Sequence, residues 1–174
     1  VRIFLRECRA QYESNLLGLN SPNGNYMSKS VGIVPQLLLE NQLCFPLYSA
    51  SNAVVRAYRP LLDKLDLTYL QYIVLMVLWE ETRLNVKELG HRLSLDSGTL
   101  TPLLKRLEAK GLVDRSRSSE DERVRIITIT ALGENLKDQA VDIPGTLACT
   151  SQLSRKQQLE LKRLCEQLLE NIAS

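Results

Sequence analysis

The 174-residue chain has one histidine, one tryptophan, two phenylalanines and two methionines. Its four cysteines, Cys8, Cys44, Cys149 and Cys165, form no CxxC pair and no Cys/His cluster. Structural zinc needs such ligands at short spacing, so no metal is expected, and nothing points to a cofactor. No apolar run approaches the roughly 18 residues of a membrane helix. Ile3-Phe4-Leu5, flanked by Arg2, Arg6 and Arg9, is too short for the apolar stretch of a signal peptide. The expectation is a cytoplasmic protein with no membrane partner, whose thiols stay reduced unless they are redox-active. Internal repeats and low-complexity tracts are missing too. Net charge is only +2, so bulk electrostatics does not announce a nucleic-acid binder.

Charge is unevenly placed, however. Residues 83–130 carry ten Lys/Arg against seven Asp/Glu, a local +3, and the rest of the chain carries −1. A small local excess fits a protein that places a few arginines on DNA rather than a broadly basic one. A chain of this length buries roughly 70% of its unfolded surface without staples, enough for one domain or one subunit of a dimer.

Residues 1–35 read as an N-terminal extension. Asn20-Ser21-Pro22-Asn23-Gly24-Asn25 is turn material, and Met27-Ser28-Lys29 resembles a native start, which would leave residues 1–26, Cys8 included, outside the fold. The folded domain is expected over 36–174. Pro35 to Glu40 reads as a short helix opened by proline. A second helix is expected from about Leu43 to Asp63, with Pro46 tolerable only in its first turn, which places Cys44 near the N-terminus. The next runs from about Thr68 to Glu81, with Leu70, Ile73, Val74, Val77 and Leu78 on one stripe.

Asn85–Leu95 and a helix from Asp96 or Ser97 to about Lys110 form a helix-turn-helix, closed by Gly111. Leu112–Arg117 and Val124–Thr130 read as two strands around the charged hairpin Ser118–Arg123, a wing. A helix from Ala131 toward Pro144, resuming to Thr150, and a last helix from about Ser154 to Ile172 complete the chain. Leu161, Leu164, Cys165, Leu168, Leu169 and Ile172 form an apolar stripe on that last helix. A partner subunit is its expected cover, with Cys165 as inert core. The fold class is mostly α with a small β wing: a winged helix-turn-helix.

A helix-turn-helix puts the start of its second helix into the major groove of double-stranded DNA. Here that start presents Ser97, Gly98, Thr99, Thr101 and Pro102, with Lys105 and Arg106 a turn later, while Leu100, Leu103, Leu104 and Leu107 face inward. Short hydroxyls suit close approach to phosphates and bases. Arg115, Arg117, Arg123 and Arg125 surround the hairpin, where an arginine fits the minor groove. The competing reading pairs these arginines with Glu120, Asp121 and Glu122 as a solvated hairpin.

Asp121-Glu122-Arg123, then Ile127, Ile129-Thr130 and Gly133, resembles the wing signature of MarR-type transcriptional regulators, with Ile129 where leucine is commonest. Leu100–Val113 is similar to that family's recognition helix and turn. The resemblance covers about residues 36–174. It implies a winged-helix homodimer held by its N- and C-terminal helices (dimerisation helices 36–64 and 131–174 around a DNA-binding lobe at 65–130), reading a pseudo-palindromic operator with two recognition helices, Arg123 of each wing lying in the minor groove.

Leu43-Cys44-Phe45-x-Leu47-Tyr48, followed by Tyr58-Arg59-Pro60 and Leu67-Thr68-Tyr69-x-Gln71-Tyr72, resembles the organic-hydroperoxide-resistance branch of that family. The resemblance implies that Cys44 is the peroxide-sensing thiol, that Tyr58 and Tyr69 hydrogen-bond its sulfur, and that Cys149 is the resolving cysteine of two-cysteine members. Elementary chemistry agrees. The thiolate is the nucleophile, and an anion in a first helical turn faces unsatisfied N–H groups and the positive end of the dipole. If the helix is continuous, fourteen residues at a rise of about 1.5 Å put Tyr58 roughly 21 Å from Cys44 in the same chain. Contact would then need the partner's tyrosines. On spacing alone, Cys44 as a small buried hydrophobe stays open, as does capping by a small cellular thiol in place of Cys149.

The resulting expectation is a repressor that leaves its operator when an organic hydroperoxide oxidises Cys44. One alternative is a MarR-type repressor released by a small phenolic ligand. Another, of a different class, is a thiol peroxidase, for which a winged helix would be superfluous.

Overall fold

The computed structural model describes residues 34–173. Expectations for residues 1–26, including Cys8, lie outside the described residues. The chain divides into two compact units, one ending at Asn52 and the other spanning Ala53–Ser174.

In the first unit the expected helix over Pro35–Glu40 is instead two 3-10 turns, Pro35–Leu37 and Leu39–Asn41. Leu38 between them is extended. The two amides that follow take the backbone carbonyls a helix would have used: Asn41 Nδ2 donates to Pro35 O at 2.8 Å, and Gln42 Nε2 to Gln36 O at 2.7 Å and Leu38 O at 3.0 Å. Helix α1, Cys44–Leu62, then begins. Cys44 is its first residue and Pro46 lies in its first turn, as the missing proline N–H requires.

The end of α1 belongs to the second unit. A 3-10 turn, Asp63–Leu65, follows, and Asp66 takes the left-handed conformation at φ 52°. Helix α2, Tyr69–Glu80, opens with a reciprocal cap: Gln71 N donates to Thr68 Oγ1 and Thr68 N to Gln71 Oε1. That pairing satisfies Gln71, a polar side chain only 3% exposed. The buried face of α2 is broader than the expected stripe. Tyr72 and Leu75 join Val74, Val77 and Leu78, whereas Leu70 is exposed. A helix apolar nearly all round is surrounded by neighbours, and a single-stripe reading underestimates it.

Strand β1, Arg83–Asn85, was not expected. Three residues are too few to show alternation, and the strand exists by pairing. Asn85 caps helix α3, Val86–Leu93. Helix α4, Ser97–Ala109, is the second of the helix-turn-helix pair. Leu100, Leu103, Leu104 and Leu107 are buried beneath it as the pattern required, each contributing on the order of 1.5–3 kcal/mol. Gly111 leaves the helix at φ +70°, a conformation costly for residues with a Cβ. Strands β2, Val113–Arg117, and β3, Arg125–Ile129, form the wing. The antiparallel sheet has order β1-β3-β2, with Leu84 opposite Ile127 and Val113 opposite Ile129, so one apolar row backs onto α3 and α4.

The helix expected to run from Ala131 toward Pro144 is two: α5, Ala131–Ala140, and α6, Ile143–Thr150. Pro144 opens α6 from its first turn, where its missing N–H costs nothing. Helix α7, Arg155–Ala173, carries its apolar stripe in the open: Leu161 is 50% exposed, Leu169 62% and Ile172 75%. Cys165, on that stripe, is half-buried. Among the described residues no helix is long and apolar enough to cross a membrane.

Candidate DNA-reading face and thiol switch

The start of α4 is built by Asp96. Its carboxylate accepts from Thr99 N (Oδ1, 2.9 Å) and from the Thr99 hydroxyl (Oδ2, 2.9 Å). These bonds hold the carboxyl below the ordinary aspartate range. Thr101 Oγ1 donates to Ser97 O at 2.7 Å. Both threonine hydroxyls have thus spent their hydrogen inside the turn and keep lone pairs to accept from outside donors. Ser97, Thr101, Lys105 and Arg106 are exposed and Thr99 is half-buried. Neither Lys105 nor Arg106 has an ion-pair partner among the described residues.

The wing arginines divide. Arg115 is not at the tip. It is half-buried and reaches Glu108 of α4 at 3.2 Å, tying β2 to the recognition helix. Its Nε is buried without a partner. Arg117 pairs with Glu122 at 3.5 Å, as the solvated-hairpin reading has it. Arg123 does not. Asp121 Oδ1 accepts from the Arg123 backbone N–H at 2.9 Å, and the exposed guanidinium has no ion pair among the described residues. Arg115, Arg123 and Arg125 share one groove with Asn85, Lys87 and His91 on one side and Ser97 and Thr101 of α4 on the other. The basic wing and the hydroxyl-bearing helix start therefore face a common space. Asn85, Lys87 and His91 were missed in the sequence because they lie outside the recognition helix and the hairpin.

The thiol elements are equally specific. Helix α1 runs from Cys44 to Leu62 and carries Tyr58 in its last turns. The Cys44 thiol is exposed rather than a buried hydrophobe. Tyr58 and Tyr69 are brought together, with ring centroids 5.0 Å apart and planes tilted by 45°. Tyr72, which spacing did not single out, sits 5.8 Å behind Tyr58. Burial, and then the proximity of Tyr69 and Tyr72, pushes the Tyr58 phenol up to about 12, so it is a neutral donor at ordinary pH. Neither Tyr58 nor Tyr69 has a hydrogen-bond partner for its hydroxyl among the described residues. Both line an apolar cleft with Val54 and Ala57 of α1, Leu147 and Ala148 of α6, and Leu161 of α7. Cys149 is exposed on α6, between the cleft-lining residues Ala148 and Thr150. The fold thus gathers Tyr58, Tyr69 and the Cys149-bearing helix around one cleft.

Residues 56–140 match a family model described as transcriptional regulator SarA/Rot. An organic hydroperoxide resistance transcriptional regulator of Bacillus subtilis (strain 168) is 52% identical over 134 residues, covering 77% of this chain and 91% of the relative. Reduced AbfR of Staphylococcus epidermidis bound to DNA superposes with a TM-score of 0.66 at 36% identity, over 78% of this chain and 95% of the other. Overoxidised AbfR bound to DNA superposes at 0.65 with 37% identity, over 77% and 94%. With a mostly helical fold, a three-stranded wing and the Asp121–Gly133 signature in place, the chain belongs to the MarR-type transcriptional regulators, in their organic-hydroperoxide-resistance branch, and is a regulator rather than an enzyme.

Proposed function

We propose that this chain is a redox-sensing repressor that holds operator DNA as a homodimer while Cys44 is reduced, and releases it when an organic hydroperoxide oxidises that thiol. The observation that carries the reading is the Tyr58/Tyr69 pair, whose hydroxyls have no hydrogen-bond partner among the described residues, beside the Cys149-bearing helix in one cleft. A second protomer, run antiparallel along α1 and covering the open stripe of α7, would bring its own Cys44 there. Helices 36–64 and 131–174 would then be the dimerisation elements and 65–130 the DNA-binding lobe.

The chemistry balances simply. The Cys44 thiolate attacks the peroxide oxygen, the O–O bond breaks, and the alkoxide leaves as an alcohol after taking a proton. The sulfenic acid then condenses with a Cys149 thiol, forming S–S and releasing water. Overoxidised AbfR was crystallised on DNA, which supports assigning release to a disulfide rather than to the higher sulfur acids. On DNA, Ser97, Thr99, Thr101, Lys105 and Arg106 would meet the major groove and Arg123 the minor groove, with Arg115 acting through Glu108.

Gel shift of the promoter upstream of its own gene, with and without an organic hydroperoxide, tests this directly. Cys44→Ser should bind and ignore peroxide, and release by that variant refutes the assignment. Peroxide-treated protein should run as a disulfide-linked dimer on non-reducing gels, and Cys149→Ser should not. A dimer band in that variant removes Cys149 from the mechanism. A second reading, release by a small phenolic ligand, is favoured by the cleft alone. Its volume, about 890 Å³, falls in the roughly 300–1,000 Å³ range of small-molecule sites. Release that reductant cannot reverse, and that survives in Cys44→Ser, would select it.

A further inference from the structure

The phenol pair does not end at the cleft. Tyr58 packs on Tyr72, and Tyr72, 2% exposed, meets the edge of Trp79 with centroids 6.1 Å apart. Trp79 Nε1 donates to Gly133 O at 3.0 Å, a contact spanning fifty-four positions of sequence. Gly133 N in turn donates to Thr130 Oγ1 at 3.1 Å, and the same hydroxyl donates to Gly111 O at 2.7 Å. Thr130 N donates to Leu112 O at 3.1 Å. One threonine therefore grips the turn where α4 ends and β2 begins, while also standing at the end of β3 and capping α5. The node has no slack. A Cβ on Gly133 would lie 2.3 Å from Leu112 O and 2.8 Å from Ile129 Cγ1.

We propose that Trp79 and Thr130 are positioning residues that couple the Tyr58/Tyr69 cleft to the recognition helix and wing. The inference rests on the cleft being where oxidation acts. A close-packed interior with few voids cannot absorb a displaced ring locally. Where Tyr58 is pressed from the cleft onto Tyr72, which is 2% exposed, the displacement passes to Trp79 on the other side of that ring. Trp79 holds Gly133 by a directional bond, so its motion reaches the Thr130 hydroxyl and the Gly111 turn. Neither residue faces the cleft or the DNA groove, and their role is transmission between the two.

The test is the ratio of operator Kd in oxidised and reduced full-length protein, with the rate of Cys44 oxidation measured alongside. Wild type should show a ratio of about 5–150, the usual range of site-to-site coupling, and Trp79→Phe should bring it to within about threefold of one. Phe keeps a ring against Tyr72 but has no N–H for Gly133 O. Reduced-state affinity and the oxidation rate should stay near wild type, a separation that a merely structural defect would not give. Thr130→Val should behave likewise, and Thr130→Ser, which keeps the hydroxyl, should restore coupling. Should Trp79→Phe fold poorly, the wild-type protein decides. Trp79 is the sole tryptophan, and its emission should change on peroxide treatment without DNA and stay constant in Cys44→Ser. Variants that release DNA as fully as wild type, or a Trp79 emission unmoved in protein that releases, overturn the relay and leave the Cys44 reading standing. Wild type that never releases on peroxide overturns both.

Discussion

Asp121 spends its carboxylate on the backbone N–H of Arg123, at 2.9 Å, and the Arg123 guanidinium has no ion pair among the described residues. In a hairpin that holds Glu120, Asp121 and Glu122, the obvious fate of an arginine two residues on is a surface ion pair. Here the aspartate shapes the turn instead, and the cation is presented rather than neutralised. The Asp-x-Arg spacing thus has a local mechanical meaning, independent of what the arginine touches.

That arrangement makes an ordered prediction for operator binding. Arg123→Ala should weaken binding by about 1–3 kcal/mol if the side chain reads the minor groove. Arg117→Ala, whose charge is already engaged by Glu122, should cost less. Asp121→Ala is the sharper test. Removing a negative charge beside DNA should strengthen binding on electrostatic grounds, yet loss of the turn should weaken it. Fluorescence anisotropy on operator duplex, at several salt concentrations because phosphate contacts are salt-dependent, distinguishes the two. Tighter binding by Asp121→Ala would mean that the carboxylate does not organise the tip.

Two glycines should respond oppositely to alanine. At Gly133 the new Cβ meets the Leu112 carbonyl at 2.3 Å, a backbone atom that cannot rotate away. Overpacking of this kind should destabilise by about 1–3 kcal/mol. Gly145, in α6, has nothing within 4 Å of a built Cβ. There the helix gains from lower backbone entropy in the unfolded chain, and Gly145→Ala should be neutral or stabilising by about 0.5–1 kcal/mol. Urea denaturation of the reduced protein checks both signs.

Much of this architecture was legible in the sequence. The inward leucines of α4, the Asp96 cap and the Gly111 stop were readable because each follows from a short-range rule of periodicity or terminus chemistry. Strand β1 was not, since Arg83–Asn85 becomes a strand only by pairing with Ile126–Thr128, forty residues away. The α2 stripe misplaced Leu70 and omitted Tyr72 and Leu75, because periodicity reports how many residues are apolar but not how many neighbours surround the helix. Over Pro35–Glu40 the pattern suggested one short helix, and the amides of Asn41 and Gln42 favoured two tight turns instead.

The candidate site was legible in kind more than in geometry. The family resemblance, rather than helix spacing, pointed to a cluster of Cys44, Tyr58 and Tyr69, and the fold brings the two tyrosines together. No local rule distinguishes Arg115 from Arg123. Arg115 is withdrawn onto Glu108 by the register of β2 against β3, a long-range fact. Trp79 carried no signal at all as a partner of Gly133, since the fold alone closes that distance.

The Arg115–Glu108 tie should matter more than the ion pairs on α7. Arg115 is 19% exposed and its Nε is buried, so Glu108→Ala leaves a half-buried cation facing its own desolvation. A loss of about 1 kcal/mol is expected, at the upper end for partly screened pairs. It should be accompanied by weaker operator binding, because the recognition helix loses its tie to β2. Glu160→Ala, which breaks the fully exposed pair with Arg163, should leave operator binding unchanged. Equal effects on operator affinity from the two substitutions would show that the tie does not position α4.

Tyr58 gives a pH signature with a definite sign. Its phenol is raised to about 12, first by burial and then by Tyr69 and Tyr72. In the unfolded chain it titrates near 10. The folded protein therefore favours the neutral form, and the stabilisation is fully present below pH ~10 and is lost as pH rises through the folded value. Tyr72 is raised as well, by burial and then by Tyr69, so ultraviolet absorbance titration should show a late phenolate step that is reduced, not abolished, in Tyr58→Phe. Tyr58→Phe should also flatten the alkaline fall in stability. If the partner's Cys44 sits against Tyr58, the same step should move in protein treated with an organic hydroperoxide, because a neighbouring thiolate opposes ionisation of the phenol and a disulfide does not. A late step that is identical in reduced and oxidised protein would place the partner's Cys44 away from Tyr58.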